Sequence, residues 1–69
     1  MKVIFENVGY GNASWQAELN GELTYEWLYG QVKGKCMSRD IDFMLEKADN
    51  KKGVICAGFH KIGTFRIEE

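Results

Sequence analysis

The chain has 69 residues, a formal net charge of −1, and 45% hydrophobic against 28% charged residues. That apolar fraction excludes a disordered polymer, and the near-neutral balance excludes a global field that would gather nucleic acid or an anionic membrane. A chain this short buries only about 60% of the surface its unfolded form exposes, so a single small domain, residues 1–69, with a simple function is expected.

The N-terminus reaches Glu6 before any long apolar run, which is not the pattern of a secretory leader. No stretch approaches the roughly 20 apolar residues that span a bilayer. The expected address is therefore cytoplasmic. In that compartment Cys36 and Cys56 read as two reduced thiols, and their spacing is not that of a metal knuckle. Asn12-Ala13-Ser14 matches a glycosylation acceptor, which has no meaning without secretion.

Glycines punctuate a chain without proline. Residues 2–10 place Val3, Ile4 and Phe5 consecutively and read as a strand buried on both faces. A turn follows at Gly9-Tyr10-Gly11-Asn12. Ala13, Trp15, Ala17 and Leu19 then alternate with Ser14, Gln16, Glu18 and Asn20, a half-buried strand. Alternation resumes as Leu23, Tyr25, Trp27 and Tyr29 against Glu22, Thr24 and Glu26. A three-residue loop at Leu19-Asn20-Gly21 would pair the two runs and stack Trp15 on Tyr25 and Ala13 on Trp27. A helix over residues 14–20 or 24–32 is the competing reading of these runs.

Gly30 and Gly34 close that strand. Ser38 is placed as an N-cap, with Asp40 and Asp42 in the first turn of a helix over about 39–49. Ile41, Met44, Leu45 and Ala48 would form its buried stripe. Asn50 to Gly53 end it, with Lys51 and Lys52 near the negative end of its dipole. The final hairpin turns at Lys61-Ile62-Gly63 and pairs Phe59 with Phe65 and Ala57 with Ile67. The expected fold is α+β and mostly antiparallel, with order β-β-β-α-β-β. Its one helix packs on an open sheet or belongs to a small OB-like barrel.

No set of residues asks for catalysis. On one strand Cys56 and His60 would stand roughly 13 Å apart, too far for a nucleophile and its base. The glycine-containing turn at 9–14 lacks a third glycine and a following helix, so it is no phosphate cradle. Asp40, Asp42 and Glu46 avoid the buried stripe and read as a solvated face. No enzyme, cofactor or metal is expected.

Partner binding is the remaining class. Phe43 would lie about 160° around the helix from its stripe, beside Arg39 and Glu46, an aromatic ringed by charges. Glu18, Glu22 and Glu26 would share an acidic hairpin face. These residues point to a protein-docking module (inhibitor, adaptor or regulatory subunit), a size class common among phage and mobile-element products. The alternative is an OB-like nucleic-acid-binding protein using Lys33, Lys35, Arg39, Lys51 and Lys52, with Tyr10 or Tyr29 as a stacking residue. An open sheet edge would also allow a homodimer.

Overall fold

The computed structural model describes residues 1–9, 11–35, 40–46 and 51–68. Its elements are β1 (Lys2–Val8), β2 (Ala13–Glu18), α1 (Tyr25–Val32), β3 (Ile41–Leu45), β4 (Lys52–Ala57) and β5 (His60–Glu68). The five strands form one open antiparallel sheet in the order β2-β1-β5-β4-β3. The class is α+β as expected, but the order is β-β-α-β-β-β and the sheet does not close into a barrel.

Two segments exchange secondary structure relative to the expectation. The expected third strand is helical from Tyr25 to Val32, and the segment expected as a helix over 39–49 supplies strand β3. The reason for the first is visible in the packing. Tyr25, Leu28, Tyr29 and Val32 recur at i, i+3, i+4 and i+7, and Leu28 and Val32 of that set are buried. Thr24 caps the helix: its extended backbone lets Oγ1 accept from Trp27 N–H at 3.2 Å. Glu26 occupies the first turn, where the dipole favours an acid. Eight residues are too few to hold a helix alone in water, so cap and packing act together. Thr24→Ala is expected to lower stability by about 1 kcal/mol, seen as a lower denaturant midpoint with an unchanged slope.

The three-residue hairpin loop at residues 19–21 is likewise not formed. Leu19 N–H bonds Met1 C=O at 2.8 Å, and the chain then leaves the sheet through Gly21, whose φ is +106°. It leads on to α1, whose first residue Tyr25 lies against Phe43 of β3. The helix then runs across the sheet. Tyr25 meets Phe43 of β3 at 5.5 Å between ring centroids, and Trp27 meets Phe5 of β1 at 6.2 Å. Near its end Gln31 Oε1 accepts from Trp15 Nε1 of β2 at 3.4 Å.

The helix covers one face of the sheet, where Val3, Phe5, Val8, Ile41, Ile55 and Phe65 are buried with Leu19, Leu28 and Val32. β1 is thus buried on one face rather than two, with Ile4 half-buried on the other. A bulge keeps Val8 on the inner side: β1 has one residue more than β2 between the pairs Phe5–Trp15 and Val8–Ala13, and Asn7 takes φ +57° there. β2 keeps the alternation expected of it, with Ala13, Trp15 and Ala17 half-buried and Ser14, Gln16 and Glu18 exposed.

The last hairpin turns earlier than expected. Ala57 pairs with His60, so Gly58-Phe59 is the turn, and Gly58 at φ +63° fills the first central position, where type II′ turns take glycine. Phe65 consequently pairs with Gly53, and Ile67 pairs with Val3 of β1 and packs half-buried against the core rather than opposite Ala57. The expected N-cap Ser38 and stripe residue Ala48 lie outside the described residues. No helix among the described residues is long and apolar enough to cross a membrane.

Candidate functional site

The inner face is not fully covered. Between the start of α1 and β3 lies a cleft of about 200 Å³, lined by Leu23, Thr24, Tyr25, Leu28, Phe43, Leu45 and Phe65. Its floor follows from strand register: Leu45 pairs with Gly53, and Gly53 with Phe65, so the glycine leaves room for the Phe65 ring between them. Phe43 lies edge-on to both Phe65 (6.2 Å) and Tyr25 (5.5 Å). At the mouth, Tyr25 is 48% and Leu45 49% exposed. An apolar cleft with half-exposed apolar lips suits an apolar side chain.

β3 is also an edge strand, and its backbone is partly occupied. Gly58 N–H bonds Asp40 C=O at 2.8 Å and Glu46 N–H bonds Lys52 C=O at 2.9 Å, so even positions of β3 face β4 and odd ones face outward. Two of those outward groups have local partners. The Tyr25 hydroxyl donates to Ile41 C=O at 2.7 Å, and Phe43 N–H donates to Asp42 Oδ1 at 2.9 Å. Strand pairing along the upper half of this edge is therefore blocked, while side chains at its lower end stay open.

Phe43 is half-buried in the cleft wall, on a strand rather than on an exposed helical face. Glu22, Glu26 and Glu46 are exposed, and each directly adjoins in sequence a cleft residue (Leu23, Tyr25 and Leu45). Of the six residues singled out for partner binding, Phe43 lines the cleft and Glu22 and Glu26 neighbour its residues in sequence, while Glu46 lies on the other side of the sheet with Glu6, Lys52 and Arg66. Glu18 is apart from them, at the end of β2, where its carboxylate is 3.5 Å from the N-terminal ammonium. Arg39 lies outside the described residues.

The lysines of the nucleic-acid alternative divide. Lys33 caps the C-terminus of α1, and Lys35 places Nζ 5.2 Å from the Trp15 ring centroid over β2. Lys52 is on β4, paired with Arg66, and Lys51 precedes it. Arg66 is itself engaged by Glu6 at 3.3 Å and Glu68 at 3.4 Å. Tyr29 is half-buried and stacked on Tyr25 at 5.9 Å, while Tyr10 lies outside the described residues.

Cys56 and His60 sit on different strands, not on one. Cys56 pairs with Lys61 and its neighbour Ala57 pairs with His60, so thiol and imidazole project from opposite faces. Cys36 lies outside the described residues. Among the described residues no group of His, Cys, Asp and Glu is gathered to hold a metal ion.

Three contributors went unmarked in the sequence. Leu23 and Tyr25 were assigned to a strand interior, and the helical spacing from Tyr25 to Val32 was the signal that places them at the cleft. Phe59 was assigned inward, opposite Phe65, yet it is fully exposed at the tip of the β4–β5 turn. Gly58 before it was the available signal. Because Phe59 contributes nothing to the core, Phe59→Ser is expected to leave the melting temperature unchanged in a thermal scan. No protein-family model, curated protein or solved structure matches the chain.

Proposed function

We propose that the chain is a small non-enzymatic docking module of the cytoplasm, acting as an inhibitor, adaptor or regulatory subunit, whose contact surface is the cleft between α1 and β3. The observation that carries this reading is the cleft itself, apolar, with Tyr25 and Leu45 half-exposed at its mouth. Aromatic and aliphatic groups in a concave site act as anchors in protein interfaces, while charged rims set orientation and on-rate. Glu22 and Glu26, next in sequence to Leu23 and Tyr25, supply such a rim, so the fitting partner offers an apolar side chain flanked by Lys or Arg. Recognition runs through side chains, since Tyr25 and Asp42 already engage part of the β3 backbone.

The test is photo-crosslinking from position 45, with position 68 as a control on the far face, in native lysate with and without nuclease. A discrete protein adduct from position 45 alone, lost when Tyr25→Ala is added, supports the reading. With that partner in hand, Leu45→Asp should weaken binding by at least about tenfold, the loss of one buried anchor. Adducts that vanish with nuclease would transfer the function to Lys33, Lys35, Lys51 and Lys52.

A further inference from the structure

The two edges of the sheet are treated differently, and the contrast points to a second interface. β3 is short and has two of its outward backbone groups engaged by Tyr25 and Asp42. At the opposite edge, β2 shows fewer protections among the described residues. The strand has six residues with no lysine or arginine, the chain contains no proline, and the extra residue of the bulge belongs to β1.

The outward groups of β2 follow from its pairing. Leu19 N–H bonds Met1 C=O at 2.8 Å, and the Met1 ammonium bonds Leu19 C=O at 3.1 Å. The bonded pairs then continue through Val3–Ala17 and Phe5–Trp15. The N–H and C=O groups of Ser14, Gln16 and Glu18 therefore point away from the sheet, and all three residues are exposed.

We propose that this edge pairs with β2 of a second copy, antiparallel about a two-fold axis at Gln16. An antiparallel edge is self-complementary when the residues brought opposite each other suit one another. Here Gln16 faces Gln16 of the other copy, and their amides can bond one another. Ser14 faces Glu18: the Ser14 Oγ already accepts from Asn7 N–H at 3.3 Å, which leaves its own O–H to donate to the carboxylate. No like charges are opposed. On the helix side Trp15 faces Ala17, a large residue beside a small one, so the partner's methyl group leaves room for the indole held on Phe5 and Gln31. The result is one continuous ten-stranded sheet, with the α1–β3 clefts at its two far ends. The dimer and the docking cleft are thus independent of each other.

Sedimentation equilibrium from micromolar to millimolar chain, with amide hydrogen exchange at both ends of that range, tests the proposal. The mass should rise from 7.9 kDa toward twice that value, and the amides of Ser14, Gln16 and Glu18 should become slow to exchange only at high concentration. Gln16→Lys sets two ammonium groups side by side at the axis and should weaken association at least tenfold without disturbing the bonds to β1. Gln16→Pro removes the outward N–H alone and should do the same. A strict monomer at millimolar concentration overturns the proposal. So does a dimer whose Ser14, Gln16 and Glu18 amides stay fast. If neither variant folds, the exchange pattern of the wild-type chain decides.

Discussion

Phe5→Ala is expected to leave the chain unfolded, or folded by only a small margin, at 25 °C. Phe5 is fully buried in the centre of the inner face. Its ring is stacked on Trp15 at 4.6 Å and tilted against Trp27 at 6.2 Å and Phe65 at 6.4 Å. Among the described residues it is thus the one ring that meets the aromatics of β2, α1 and β5 together. Truncating a buried Phe costs about 3–5 kcal/mol. A chain of this length holds roughly 3–10 kcal/mol in total, at about 0.05–0.15 kcal/mol per residue. Urea titration followed by tryptophan fluorescence reads the result directly, because both indoles report on the site. Phe5→Leu should retain a cooperative transition. A midpoint for Phe5→Ala close to wild type would mean that the aromatic cluster is not what joins helix to sheet.

Gly53→Ala should be the most damaging single-methyl addition. A Cβ at that position would run into Cζ and Cε1 of Phe65 and come within 2.8 Å of the Met44 carbonyl oxygen. The ring cannot move away freely, since Phe43 is edge-on to it and Phe5 is beside it. Overpacking of this kind costs about 1–3 kcal/mol or more. Gly63→Ala is a milder comparison, with Val8 Cγ2 at 2.9 Å and Asn7 O at 3.2 Å. Because the conflict is with one ring, Phe65→Leu should make Gly53→Ala less harmful. A double-mutant cycle should then show favourable coupling between the two positions. Additive losses would place the strain in the Met44 backbone instead.

How far the sequence could be read depends on whether a segment carried one periodicity or two. Residues 13–19 carried alternation more strongly than the competing helix over 14–20, and β2 is where that alternation places it. Residues 23–32 carried both, because Tyr25 and Tyr29 belong equally to the alternating set and to the helical stripe. Leu28 and Val32 decide for the helix by being buried, a tertiary fact. Residues 41–48 held the mirror-image ambiguity. Ile41, Phe43 and Leu45 alternate as a strand, while Ile41, Met44, Leu45 and Ala48 follow a helix. Pairing with β4 settles the strand, and leaves Met44 on the solvent side at 58% exposure. Phe43 was legible as an aromatic among charged residues, though not as a half-buried strand residue. The cleft was not, since it needs Leu23 and Tyr25 brought back over Phe65 by a crossover that no local pattern encodes.

The strand order has a consequence for how the chain assembles. β1 lies between β2 and β5, and Lys2 pairs with Glu68, so the first and last strands are neighbours near the middle of the sheet. Each local hairpin, β1–β2 and β4–β5, has one face to hide and nothing to hide it against until they join. That junction closes a loop spanning nearly the whole sequence, an entropic cost met before the reward of burial arrives. On the ribosome, β1 therefore has to wait with its apolar side unpaired until the residues of β5 have emerged from the exit tunnel. Until then the β1–β2 hairpin is the piece most in need of shelter.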